Sequence, residues 1–326
     1  MGKVLAIGNA LVDILFKLEN DNLLQTFNLA KGSMQLVDKN QSDIIISQTG
    51  SLEKTMVSGG SAANTINSLA ALGANSAYIG KIGKDEFGAF FKSDMLNNGV
   101  KPMLLESETI TGRAVALISK DSERTFATYL GAAVELQSSD LTLDMFKTYN
   151  YVHLEGYLAF NQELIEHALK LAKEAGCKIS IDMASFNVIE AMPDFMKRIV
   201  KQYVDIVFLN EEEAKSFTGK EPREAVDEVA EVCEIAVVKV GKNGSYIKKG
   251  NEFYQVPAIK ATALDTTGAG DNYAAGFLYG LLNNQPLPVC GAIGSLLGGK
   301  VIEVIGAKLP QQTWDKIKSE ISSIVK

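Results

Sequence analysis

Between residues 151 and 240, short apolar runs alternate with helical patterns, and this alternation restricts the fold more than any other feature. Residues 151–154 read as a strand, followed by a helix over 162–175. The series continues with a strand over 178–181 and a helix over 189–202, then a strand over 204–209 and helices over 211–217 and 223–232. It closes on a strand over 235–240. Runs this short and this uniformly apolar suit strands buried on both faces, and the helices between them carry the chain back for the next strand. Right-handed βαβ crossovers follow, giving an α/β protein with a Rossmann-like, mostly parallel central sheet and helices on both faces. Upstream, 3–7 is a buried strand ending at Gly8, 62–72 a helix closed by Gly73, 77–80 a strand and 86–97 a helix. Three more helices lie around Asp271, Leu287 and Gln311.

Residues 113–119 and 124–130 form a second group of strands around the turn-like 120–123. Residues 14–37 carry mixed polar and apolar pieces without a long helix. From pattern alone these pieces could form a separate small sheet or peripheral strands of the large one.

The composition, 46% hydrophobic and 22% charged, is that of a globular chain without a biased segment. The formal net charge of -7 argues against nucleic acid as a partner, which needs a basic surface. No apolar run approaches the ~18 residues of a membrane span. The apolar N-terminal stretch is interrupted by Asp13 and reads as a strand and turn, not an export signal. Three widely spaced cysteines suit buried thiols of a reducing, cytoplasmic compartment, and two histidines are too few for a histidine metal cluster.

The chemistry concentrates in DTTGAGDNYAAGFLYGLL, residues 265–282. Gly268 and Gly270 let the backbone of Gly268, Ala269 and Gly270 approach a ligand closely. A helix starting near Asp271 points its unpaired N–H groups and positive dipole end at that turn, an arrangement that binds phosphate. Ordinary capping accounts for an acid there equally well. An acid beside a bound phosphate is self-defeating unless it faces a hydroxyl that loses its proton as the phosphate arrives.

DTTGAGD, together with SGGSAANTIN at 58–67, resembles the two signatures of the PfkB carbohydrate kinase family, also called ribokinase-like. The resemblance in order of elements runs over essentially the whole chain. It implies one ribokinase-like kinase domain over 1–326, with a small β lid formed from about 12–46 and 104–131. The implied activity is transfer of the γ-phosphate of MgATP to a small-molecule hydroxyl. Asp271 would then be the base, and the N–H groups of Gly268, Ala269 and Gly270 would stabilise the transferring phosphoryl group. The adjacent helix end is expected to lower the Asp271 pKa. Asn210 and Glu213 match an N-x-x-E motif whose acid helps hold magnesium through water. Lys239, Gly241 and Gly244 resemble the T-x-G-x-x-G nucleotide loop, with Lys239 in place of the threonine. Asn9, Asp13, Gly59, Gly60 and Asn64 match the positions that hold vicinal hydroxyls, and Glu155 falls where several sugar kinases keep a site acid. Arg124, in the lid, would neutralise phosphate on closure, or be a solvated surface charge. Asp265 and Thr267, with Ser295, match part of a potassium site.

The four-position step from Asn9 to Asp13 resembles the adenosine kinase subgroup. In that subgroup Met34 and Leu36 would offer apolar contact to a purine and Tyr157 an aromatic wall, although all three could simply pack the lid. Adenosine, yielding AMP, is therefore the leading acceptor, with a sugar such as ribose or fructose as the alternative. A dehydrogenase would want G-x-G-x-x-G where the first strand is followed by GNALVD. A silent sugar or nucleotide sensor is the other alternative; Asp271 favours an enzyme. An exposed lid edge would pair in a homodimer and a covered one would leave a monomer.

Overall fold

The structure is a computed structural model that describes residues 2–50, 52–121 and 123–325. The expected turn at 120–123 includes Ser122, which lies outside the described residues.

The chain begins with β1 (Lys3–Ile7) and β2 (Leu11–Lys17), then a single helical turn α1 (Asn22–Thr26), β3 (Met34–Leu36), α2 (Lys39–Gln48) and β4 (Lys54–Gly59). Next come α3 (Ser61–Ala71), β5 (Asn75–Gly83), α4 (Glu86–Asn97), β6 (Val100–Ser107), β7 (Gly112–Ile118) and β8 (Arg124–Tyr129). The alternating half follows: β9 (Tyr151–Glu155), α5 (Gln162–Glu174), β10 (Lys178–Asp182), α6 (Phe186–Ala191), α7 (Pro193–Tyr203), β11 (Ile206–Leu209), α8 (Glu211–Thr218) and α9 (Pro222–Val229). After β12 (Ile235–Lys239) come the antiparallel β13 (Ser245–Lys249) and β14 (Glu252–Val256), then α10 (Ala269–Leu282), α11 (Leu287–Val301) and α12 (Trp314–Ile324).

The large sheet runs β14-β13-β12-β11-β10-β9-β1-β5-β6 and is parallel from β12 to β6. From β1 the chain builds outward one way through β5 and β6, then restarts at β9 and builds the other way. The crevice between the carboxyl ends of β1 and β9 is thus a topological switch point, where open α/β sheets bind ligands. Two apolar cores flank the sheet. One contains Ile66 and Leu69 of α3 with Phe277, Leu278 and Leu297 of α10 and α11; the other contains Leu169, Ile199, Phe217 and Val226 of α5 and α7–α9.

The remaining strands form a separate five-stranded sheet, β3-β8-β7-β2-β4. Its β4 lies outside the two stretches expected to supply the lid, and residues 104–107 pair instead with β5 in the large sheet. Pro102, which demotes a strand reading, sits in β6 at the outer edge, where a missing N–H is tolerated. The helix expected over 189–202 is two helices, because Pro193 opens α7 and holds Met192 in a non-helical φ of -144°. No helix among the described residues is long and apolar enough to cross a membrane.

Candidate active site

Consecutive parallel strands deliver polar residues to one edge of the sheet. Asn9 follows β1, Glu155 ends β9, Asp182 ends β10, Asn210 follows β11 and Lys239 ends β12. The N-terminus of α10 faces this row. Gly268 is its N-cap, with a left-handed φ of 72°, and Asp271 is the third residue of the helix. Asn272 fixes this start: its Nδ2 donates to Gly268 O (2.9 Å) and Ala307 O (3.0 Å), while its Oδ1 accepts from Ser68 Oγ. The Ala269 N–H donates to Thr266 O within the turn. The N–H groups of Gly268, Gly270 and Asp271 have no partner among the described residues, so they remain available to an anion.

Asp271 does not cap its own helix. Its Oδ1 accepts from Ser61 Oγ (2.7 Å) and its Oδ2 from Asn64 Nδ2 (2.9 Å), both one turn apart on α3. Its carboxyl is pushed up to about 7, by burial first and by the charge of Asp182 second, although part of the residue stays open to solvent. The expected lowering by the helix end is reversed. Desolvation and the like charge of Asp182 outweigh the hydrogen bonds from Asn64 and Ser61 and the pull of Lys239.

On the acceptor side Asp13 projects from β2 beside β4. A Cβ at position 59 would lie 2.1 Å from Asp13 Oδ1, so the carboxyl rests where only glycine leaves space. Burial raises it to about 7 against the pull of Lys308 and Arg124. Gly60 has a φ of 100°, and a Cβ there would meet Asn9 O at 2.3 Å. Asn64 Oδ1 is buried without a partner among the described residues, an acceptor placed next to the Asp271 carboxyl. Glu155 is fully engaged: it accepts from Asn9 N (2.9 Å), Asn9 Nδ2 (2.7 Å) and Ala62 N (3.0 Å), locking Asn9 and the start of α3 together. Tyr157 is half-buried beyond it, whereas Met34 and Leu36 on the edge strand β3 are 51% and 65% exposed.

On the opposite side Asn210 and Glu213 close a capping box. Glu213 accepts from Asn210 N and Nδ2, and the Glu213 N–H donates to Asn210 Oδ1. Burial, then Asp182, raises the Glu213 pKa. Gly241 and Gly244 form the turn from β12 into β13. Lys239 turns inward and pairs with Asp182 (2.7 Å).

Arg124, buried on β8, lies 2.6 Å from Asp265 Oδ2 and donates to Thr267 Oγ1 (3.2 Å). Asp265 also accepts from Thr267 N (3.1 Å) and Gly306 N (2.7 Å). A potassium ion at this carboxylate would meet a fixed guanidinium, so these residues do not fit one there. Ser295 spends its hydroxyl on Pro257 O, from within α11. Among the described residues no group of three or more His, Cys, Asp or Glu is arranged to hold a metal. Magnesium that arrives with phosphates and keeps most of its waters asks for no such cage, and Glu213 could face its hydration shell.

Several site residues were not picked out from sequence. Ser61 and Asp182 had readable signals: the first shares a helix face with Asn64, and the second ends a strand at the ligand-binding edge. Asn272 and Lys308 act through tertiary contacts with no local signature.

A phosphate-receptive helix start, a base candidate and a hydroxyl pocket at a switch point define a phosphotransferase. The family model for pfkB family carbohydrate kinases matches residues 34–314, and the chain belongs to that family. A probable sugar kinase from Rhizobium etli is 33% identical with a TM-score of 0.89, covering 99% of each chain. Adenosine kinase from Sinorhizobium meliloti is 32% identical with a TM-score of 0.86, covering 97% of this chain and 98% of that one. An uncharacterized sugar kinase of Archaeoglobus fulgidus is 30% identical over 242 residues, 74% of this chain and 96% of its own.

Proposed function

We propose that this kinase transfers the terminal phosphoryl group of MgATP to a nucleoside hydroxyl, with adenosine yielding AMP as the leading reaction. The observation that carries phosphotransfer is Asp271 in the first turn of α10, flanked by free N–H groups and held by Ser61 and Asn64. MgATP, when bound, supplies the phosphoryl group and a metal charge that offsets its negative oxygens. The N–H groups of Gly268 and Gly270 would face those oxygens, each such donor contributing about 10²–10³ in rate. Asp271 would take the proton of the attacking hydroxyl. Asn9, Asp13 and Asn64 Oδ1 would hold neighbouring hydroxyls, so an analogue lacking one leaves a buried group unpaired. Gly241, Gly244 and Asn210 would border the nucleotide, and Glu213 the metal's waters.

Similarity along nearly the full length to the Sinorhizobium meliloti adenosine kinase, and the Asn9 to Asp13 step, support the nucleoside acceptor. The comparably similar Rhizobium etli sugar kinase, with Met34 and Leu36 exposed, supports a sugar as the second reading. A panel of nucleosides and sugars with MgATP separates them: ADP release with adenosine is expected. Turnover of a hexose but not adenosine would move the acceptor to sugars, and release no faster than the ATPase background with every compound would sink phosphotransfer.

A further inference from the structure

Lys239 ends β12 and turns toward α10. Its Nζ lies 2.7 Å from Asp182 Oδ2, with only 14% of the lysine side chain and 5% of the aspartate side chain exposed. A Cβ at position 270 would lie 2.9 Å from that Nζ and 4.0 Å from Asp182 Oδ2. The ammonium therefore sits against the first turn of α10, where the N–H groups of Gly268, Gly270 and Asp271 have no partner among the described residues. Burial disfavours its charge, yet the Asp182, Glu213 and Asp271 carboxyls outweigh burial and hold its pKa above the ordinary value.

Three donors radiate from an ammonium, and Asp182 takes one. No second partner for Nζ appears among the described residues. Asp182 meanwhile steadies itself by accepting from Ala184 N (3.0 Å). A site with Asp182, Glu213 and Asp271 converging on one lysine would repel an incoming polyanion if that lysine were withdrawn. The cation is mounted on a strand end, aimed by a buried carboxylate and left with spare donors at the anion-receptive turn.

Resting on the phosphotransfer reading above, we propose that Lys239 is a catalytic residue whose ammonium contacts the phosphoryl group in flight over the turn at Gly268–Gly270, with Asp182 as its positioning residue. In the step, the acceptor oxygen forms a bond to phosphorus as the bond from phosphorus to the nucleoside diphosphate oxygen breaks. The electron pair leaves with the diphosphate and the hydroxyl proton passes to Asp271. Lys239 keeps its protons and offsets charge on the equatorial oxygens. A lysine serving only to neutralise Asp182 would make no distinction between a nucleotide with a terminal phosphoryl group and one without.

That distinction is the test. Binding of ADP and of the imido analogue of ATP, each with magnesium, is measured by calorimetry on wild type, Lys239→Met, Lys239→Gln and Asp182→Asn, alongside steady-state rates. In Lys239→Met and Lys239→Gln the imido analogue should weaken about tenfold or more, ADP should stay within about twofold, and kcat should fall about 10²–10³-fold with the acceptor KM little changed. Asp182→Asn, which keeps the ammonium and frees it, should lower kcat with unchanged ADP affinity. Equal weakening of both nucleotides, or a kcat within about threefold of wild type in variants that melt as wild type does, overturns the role of Lys239. If Lys239→Met does not fold, Lys239→Gln decides. Wild-type protein inactive toward every acceptor would instead strike at the phosphotransfer reading itself, so the two failures are distinguishable.

Discussion

At the scale of single residues, Asp271 is the sharpest case, because a carboxyl raised to about 7 is protonated through much of the mildly acid range. The acid limb of kcat/KM should have its midpoint near 7, instead of the ~4 of a free aspartate, with Asp13 steepening it. A limb centred below pH 5 would contradict the electrostatics described. Stability should run the other way. A carboxyl whose folded pKa is raised favours the folded state most below the unfolded value; that contribution is lost as pH rises through the folded pKa and is constant above it. Asp271→Asn should cost about 10²–10⁴ in kcat while acceptor binding persists, measured by rate and by calorimetry. The position of this residue at a helix mouth was legible in sequence, because a glycine-bearing turn before a helix pattern is a local signal. Its charge state was not. The helix dipole is visible in sequence, whereas Asp182 and the burying neighbours arrive from strands far along the chain.

At the scale of elements, the join between β1, β9 and α3 depends on Glu155, which accepts three N–H donors from Asn9 and Ala62. Glu155→Gln places an amide N–H among those donors and should destabilise the fold by about 1–3 kcal/mol, seen as a lower Tm. Gly59→Ala puts a methyl where the Asp13 carboxyl rests and should raise the acceptor KM about tenfold or more while leaving ADP affinity unchanged. Equal changes in both would show that β4 itself had shifted. The parallel strands and their helices were readable because each is a continuous apolar run or a clear helical pattern. α2, β4, β6 and the β13–β14 pair were not: β6 contains a proline, β4 is partly polar, and α2 has no strong apolar face. Such elements are specified by the partners they meet after folding.

At the scale of the molecule, the second sheet shares an apolar core with the large one through Ile14, Phe16 and Val115, and Arg124 on Asp265 adds a buried polar contact beside the site. With that carboxylate already holding a guanidinium and two N–H groups, exchanging potassium for a large organic cation at constant ionic strength should leave kcat within about twofold. A larger loss would place a monovalent ion elsewhere in the site. The existence of strands around residues 113–130 was visible in their composition, and their union with the 12–46 stretch in a small sheet followed from the family resemblance; pattern alone left it open because the β2–β7 pairing spans about a hundred residues, and the part played by β4 was missed. Arg124 stands on a strand of that outer sheet, while Asp265 stands immediately before the turn into α10. Any swing of one sheet from the other must therefore unfasten the bracing of the turn in the same motion.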